Sequence, residues 1–323
     1  MTDADHPGAT IALDEEAVSP RDEAAEPAGF TVEVDGGERI HFLDWGEPDG
    51  GVPSDPATAR LAGLLVVHGL AQTAWGWEPV ARRLARERRV VAPDLRGHGL
   101  SDAPTHGYDE ATLAADVIAV AEGADLWDGS AGGRRLVLAG HGFGAIVAAW
   151  AARELGSACR GLVLVDGGWE DVAASSGMAV DEFLRTIEEP PEVLRSMAAY
   201  LADRRAFDPS TWDADQDRAA RAAVVELPAG RVVSSTRPHA LAGAVAAMFA
   251  YRPLEVLAAI EAPIVALIAT DPAGSREAEF DFAQRARDAA GRLPILVARY
   301  PTVGHNLLRY RPAAVAAAVR TFD

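Results

Sequence analysis

Four continuous apolar runs constrain this chain more than any other feature: Leu64-Leu-Val-Val67, Arg89-Val-Val-Ala-Pro93, Leu136-Val-Leu-Ala139 and Leu162-Val-Leu-Val165. Each runs out at or just before a Gly or Asp. A strand that is apolar at every position is buried on both faces, as in a parallel sheet covered by helices. Helical patterns fill the gaps at 77–86, 110–122 and 143–154. The alternation predicts an α/β architecture: a mostly parallel, doubly wound sheet with right-handed crossovers. Ahead of it, Phe30-Thr-Val-Glu-Val34 alternates apolar and polar, turns at Asp35-Gly-Gly37, and returns as Ile40-His-Phe-Leu-Asp-Trp45. That is the pattern of a β-hairpin.

The rhythm stops after Gly168. The stretch 169–255 reads as helix, at 180–189, 191–202, 214–227 and 238–251, with 226–233 as a loop between helices. Strand character returns at Pro263-Ile-Val-Ala-Leu-Ile-Ala269 and Ile295-Leu-Val-Ala-Arg-Tyr300, and 312–322 closes as a helix. The expected organisation is one α/β core, residues 29–168 and 256–323, interrupted by a helical cap at 169–255. Residues 1–28 read as a disordered acidic tail with little to bury.

The 323-residue length and 49% hydrophobic content suffice for a large core. The net charge is −18, of which eight acids against one arginine in the first 29 residues supply −7, leaving −11. Every basic residue other than His is Arg, and they form no stripe, so neither nucleic acid nor an anionic membrane is an expected partner. The single Cys159 permits no intrachain disulfide and suits a reducing compartment. The N-terminus lacks the pattern of a secretory signal, and no apolar run reaches membrane-spanning length. A soluble cytoplasmic protein is expected; the oligomeric state is left open.

Four motifs then fall in order on these elements. Val66-Val-His68-Gly69-Leu70 ends a strand in a turn. Asp94-Leu-Arg-Gly-His-Gly-Leu-Ser-Asp102 is a tight polar loop after the next strand. Leu136-Val-Leu-Ala-Gly140-His141-Gly142-Phe143-Gly144-Ala145 is strand, sharp turn, helix. Gly304-His305-Asn306 follows the last strand. Together they resemble the α/β-hydrolase superfamily over roughly residues 30–168 and 255–323, in its capped Gly-x-Ser-x-Gly form. The resemblance implies an α/β-hydrolase fold, an oxyanion hole from the N–H groups of Leu70 and Phe143, and His305 as general base. The acid is expected at Asp271, with Asp166, at the end of the preceding strand, as the rival.

The departure is at the centre of the elbow. Covalent catalysis needs an activated oxygen or sulfur there, and the chain has Gly142. Three readings stand. His305 and its acid act as a general base without a covalent nucleophile; the protein binds a ligand or partner without turnover, glycine having relieved the strain of the elbow; or a serine hydrolase carries an introduced Ser→Gly change.

His68, Trp75, Trp77, His141 and Trp169 are expected around the pocket, with His141 as a buried, hydrogen-bonded packing residue. By family analogy the substrate is a small, fairly apolar molecule such as an ester, lactone or polyketide-like compound. No cofactor is implied, because Gly140-x-Gly142-x-Gly144 lacks the spacing of a dinucleotide fingerprint, and the histidines show no metal-ligand spacing.

Overall fold

A computed structural model describes residues 26–46, 61–127, 129, 135–187, 195–270, 295–301 and 304–323. The expected acidic tail up to residue 25, the 47–60 loop and Asp271 lie outside the described residues. The hairpin forms as β1 (Ala28–Glu33) against β2 (Arg39–Asp44), with Phe30 opposite Phe42. The chain continues through β3 (Gly63–Val67), α1 (Glu78–Leu84), β4 (Val90–Pro93), α2 (Glu110–Gly123), β5 (Leu136–His141), α3 (Phe143–Leu155) and β6 (Cys159–Val165).

Between β6 and the next core strand lie α4 (Val172–Ser176), α5 (Val180–Ile187), α6 (Met197–Phe207), α7 (Ala214–Ala222), β7 (Val224–Glu226), β8 (Val232–Ser234), α8 (Pro238–Ala250) and α9 (Pro253–Ala258). The core resumes with β9 (Ile264–Thr270) and β10 (Ile295–Pro301) and ends in α10 (Leu307–Tyr310) and α11 (Pro312–Arg320). The eight-stranded sheet runs β1-β2-β4-β3-β5-β6-β9-β10, antiparallel only where β2 meets β1 and β4.

Burial on both faces is visible strand by strand. In β3, Leu65 and Val67 join the layer of α2 and α3, while Leu64 and Val66 join the layer of α1 and α11. This is why the runs read as continuously apolar rather than alternating.

The segment between β6 and β9 differs from the all-helical expectation. The helix expected over 214–227 stops at Ala222, and the expected 226–233 loop is part of a hairpin, with Val224 opposite Ser234 and Glu226 opposite Val232. Four valines, at 224, 225, 232 and 233, favour a pleated strand, and Leu227-Pro-Ala-Gly230 supplies the turn. Residues 191–194 of the helix expected at 191–202 lie outside the described residues; the Ser196 hydroxyl accepts the Ala199 N–H and caps a helix from Met197 to Phe207.

This segment is tied down at several points. Arg237 N–H donates to the Gly97 carbonyl at 3.1 Å. Arg82 pairs with Asp215 at 2.6 Å, and Arg309 donates to the Thr211 hydroxyl and the Asp208 carbonyl, both at 2.6 Å. Among the described residues no helix is long and apolar enough to cross a membrane.

The loop after β4 is fixed by charge. Arg96 reaches both oxygens of Asp116 on α2, at 2.5 and 2.7 Å, with both residues 2% exposed. Removing one partner leaves a buried uncompensated charge. Asp116→Ala should therefore cost about 3–5 kcal/mol, read as a lower denaturant midpoint. A loss below about 1 kcal/mol, the scale of an exposed pair, would show that the pair is not effectively buried.

Candidate active site

The elbow follows from steric demands that the sequence meets. Gly142, between β5 and α3, has φ 53° and ψ −117°, a backbone state that strains any residue with a side chain. Its N–H donates to the Val165 carbonyl at 3.0 Å, and its carbonyl accepts the Ala145 N–H at 3.1 Å. A Cβ on Gly140 would run into the Gly144 carbonyl, and one on Gly144 into the main chain of Val67 and His68. The small residues of the motif therefore let α3 cross directly over β5 and β3.

His305 enters on the loop between β10 and α10, whose first turn is capped by the Asn306 side chain. His305 Nδ1 lies 2.6 Å from Asp166 Oδ2, and Asp166 Oδ1 accepts the Ala269 N–H at 2.8 Å. With Nδ1–H donating to the carboxylate, Nε2 keeps its lone pair. That lone pair faces the elbow: a Cβ built on Gly142 would stand 3.0 Å from His305 Nε2. The imidazole is 54% exposed, whereas the Asp166 carboxylate is 7% exposed. The result is an accessible base oriented by a buried acid. Of the two acids named from the sequence, Asp166 is the one placed against His305; Asp271 lies outside the described residues.

The other expected residues divide. Phe143 provides the first amide of α3, one of the donors a helix N-terminus leaves without an intrahelical partner. Leu70 sits in the turn after β3, and its side chain packs against both the α2–α3 layer and the cluster of Val172, Val245 and Phe249. His68 is fully buried rather than lining a pocket. Its Nε2 accepts the Leu95 N–H at 2.9 Å and its Nδ1–H donates to the Gly69 carbonyl at 2.8 Å, tying the ends of β3 and β4 together.

Trp77 does not line a pocket either. The short turn Ala74–Trp77 rolls its ring under α1, where it is fully buried with Val66, Leu84 and Leu267. Trp75 packs against the same layer, with the Arg218 guanidinium 5.0 Å above its ring. Trp169 is mostly buried in the α3 layer. His141 is buried, as expected, with its ring 4.7 Å from the His305 ring. It also meets a partner the sequence did not single out: its Nδ1 lies 3.1 Å from Gln72 Oε1.

Burial, and then the neighbouring His305, push the His141 pKa down to about 3; burial, and then His68, do the same for His98. Both stay neutral in the folded chain down to that range, while in the unfolded chain they protonate near 6.5. The unfolded state therefore binds more protons between about pH 6.5 and 3, so the stabilisation is present above 6.5 and lost as pH falls. Two such groups give a slope of up to about 2.7 kcal/mol per pH unit. Urea midpoints at pH 7.5 and 5 should differ accordingly; equal midpoints would mean that these imidazoles ionise in place.

The chain belongs to the alpha/beta hydrolase family, whose sequence model matches residues 64–318. It is 38% identical over 97 residues to a non-heme chloroperoxidase of Streptomyces lividans, covering 30% of this chain and 31% of that one. It is 36% identical over 116 residues to epoxide hydrolase 4 of Mus musculus, covering 35% of this chain and 27% of the relative. The matched stretch thus spans about three tenths of each curated relative's length. Among solved structures, a thioesterase domain from the curacin biosynthetic pathway superimposes with a TM-score of 0.68 at 22% identity, over 91% of this chain and 99% of that one. E-2-(acetamidomethylene)succinate hydrolase gives 0.65 at 18% identity, over 92% and 99%. At these identities the structural likeness establishes the fold.

Proposed function

We propose that the protein hydrolyses a small, fairly apolar ester or lactone by general-base catalysis, with no covalent nucleophile. One observation carries the reading: His305, oriented by Asp166, presents Nε2 to the place where a hydrolase of this family holds its nucleophile, and that residue is glycine. The space left by the missing side chain suits a water molecule. His305 Nε2 takes a proton from that water as its oxygen attacks the carbonyl carbon. The N–H groups of Phe143 and Leu70 receive the developing oxyanion. The imidazolium then returns the proton to the leaving alkoxide as the carbon–oxygen bond breaks, giving acid and alcohol. Asp166 stabilises the imidazolium throughout.

An apolar substrate is favoured by what surrounds Leu70. Phe183, Leu184, Met248 and Phe249 form one hydrophobic cluster with it, contributed by the segment we propose as the cap. Serine-protease triads deprived of a triad member retain about 10³–10⁴-fold catalysis over water from hole and binding alone, which is the scale expected of a site without a nucleophile. A second reading, ligand binding without turnover, is favoured by one fact: glycine is the residue that relaxes the backbone at φ 53°.

The two readings separate on short- and medium-chain nitrophenyl esters. The unmodified protein should hydrolyse at least one ester above background, and His305→Ala should return that rate to background. Equal rates for the two proteins would overturn the catalytic reading. Ligand affinity that survives His305→Ala, with no turnover in either protein, would support the binding reading.

A further inference from the structure

His141 contacts two loops at once. Its Nδ1 lies 3.1 Å from Gln72 Oε1, in the turn that carries Leu70, and its Nε2 lies 3.2 Å from the main-chain carbonyl of His305. Both partners are acceptors, and each already holds another donor. Gly69 N–H donates to Gln72 Oε1 at 3.0 Å, and Leu307 N–H donates to the His305 carbonyl at 3.0 Å. The Gly69 bond fixes the Gln72 amide with its oxygen inward. Room for the pair is built in: a Cβ on residue 69 would come within 2.9 Å of His141 Nδ1 and 3.0 Å of Gln72 Oε1.

A neutral imidazole has one N–H and faces two oxygens. Whichever nitrogen bears the proton, the other directs a lone pair at an acceptor. Neither tautomer satisfies both contacts; each leaves one lone pair facing an oxygen. Charging the ring would satisfy both, but burial and the adjacent His305 oppose that.

We infer that His141 is a positioning residue whose single ring proton is shared between Gln72 and the His305 carbonyl, coupling the oxyanion turn to the base loop. With the proton on Nε2, the His305 main chain is clamped; with it on Nδ1, the turn bearing Leu70 is clamped. A shift of either loop changes which nitrogen is protonated and so reaches the other loop. The inference extends the catalytic reading above, because it assigns the coupling to the two halves of that proposed site.

The test uses the full chain labelled with ¹⁵N-histidine. Nitrogen shifts and couplings report the His141 tautomer, and the Nδ1–H resonance of His305 reports its bond to Asp166. The unmodified protein should show both His141 tautomers. Gln72→Leu, at a half-buried turn position that tolerates the change better than buried His141 would, removes one acceptor. It should shift the ratio toward Nε2–H by about tenfold, the worth of one hydrogen bond. Gln72→Glu keeps the acceptor with added charge and should shift the ratio the other way. In both variants the His305 Nδ1–H resonance should move.

A His141 tautomer that ignores both substitutions would overturn the inference. So would a His305 resonance unmoved in both variants, since His141 would then be packing alone. Neither readout requires turnover, so failure of the general-base reading would show in the ester assay and leave this result standing.

Discussion

Gly142→Ser is expected to turn the protein into a covalent esterase. The substitution places a hydroxyl on a Cβ only 3.0 Å from His305 Nε2, within reach of a base already oriented by Asp166. The elbow is retained in every other respect: its glycines at 140 and 144, its backbone bonds to Val165 and Ala145, and its helix starting at Phe143. Loss of a triad nucleophile costs about 10⁶ in rate in a complete enzyme, so installing one should raise nitrophenyl ester turnover by at least about 10²–10³-fold and produce a burst of nitrophenol. The gain comes with a loss of stability. A side chain at φ 53° costs about 1–3 kcal/mol, and His305 must yield by a few tenths of an ångström to admit the Cβ. Gly142→Ala should lose the same stability and gain no activity, which makes it the control. If Gly142→Ser folds yet shows neither burst nor turnover, the hole or the base is not aligned as described.

Asp166→Asn should cost about 10²–10⁴-fold in turnover, with little change in fold. Oδ1 of Asp166 accepts the Ala269 N–H at 2.8 Å. An asparagine keeps that bond by placing its carbonyl oxygen there, which turns its NH₂ toward His305 Nδ1. That nitrogen must then accept, so the ring proton moves to Nε2 and the base loses its lone pair. The wrong tautomer alone accounts for a loss of this size in triad enzymes. Unchanged turnover in Asp166→Asn would remove Asp166 from the mechanism and return Asp271 to consideration.

The sheet, the elbow and the placement of His305 beside it were legible in the sequence because each rests on a local rule. Continuous apolar runs require burial on both faces, Gly140 and Gly144 permit a close helix crossing, and Gly304-His305 follows the last core strand. Which acid sits against His305 was not legible. Asp166 follows β6 and Asp271 follows β9 in the sequence, so the pattern of strand ends alone gave both the same standing; Asp166 lies 2.6 Å from His305 Nδ1, and Asp271 lies outside the described residues. Trp77 read as a pocket residue because it follows the His-Gly turn, but one short helical turn is enough to move its ring into the opposite layer. The β7–β8 hairpin was hidden by alanine-rich flanks, although its paired valines were the available signal. Gln72 left no trace, since its role depends on His141 from a strand 69 residues away.

Direct attack by a water activated by His305 leaves no covalent intermediate on the protein. Stopped-flow hydrolysis of an active nitrophenyl ester, followed by intact mass of the protein during turnover, tests it most directly. Product release should be linear from the first turnover, with no burst and no acyl adduct on the unmodified chain. A stoichiometric burst with an acyl mass on the protein would contradict it, because another side chain would then be the nucleophile.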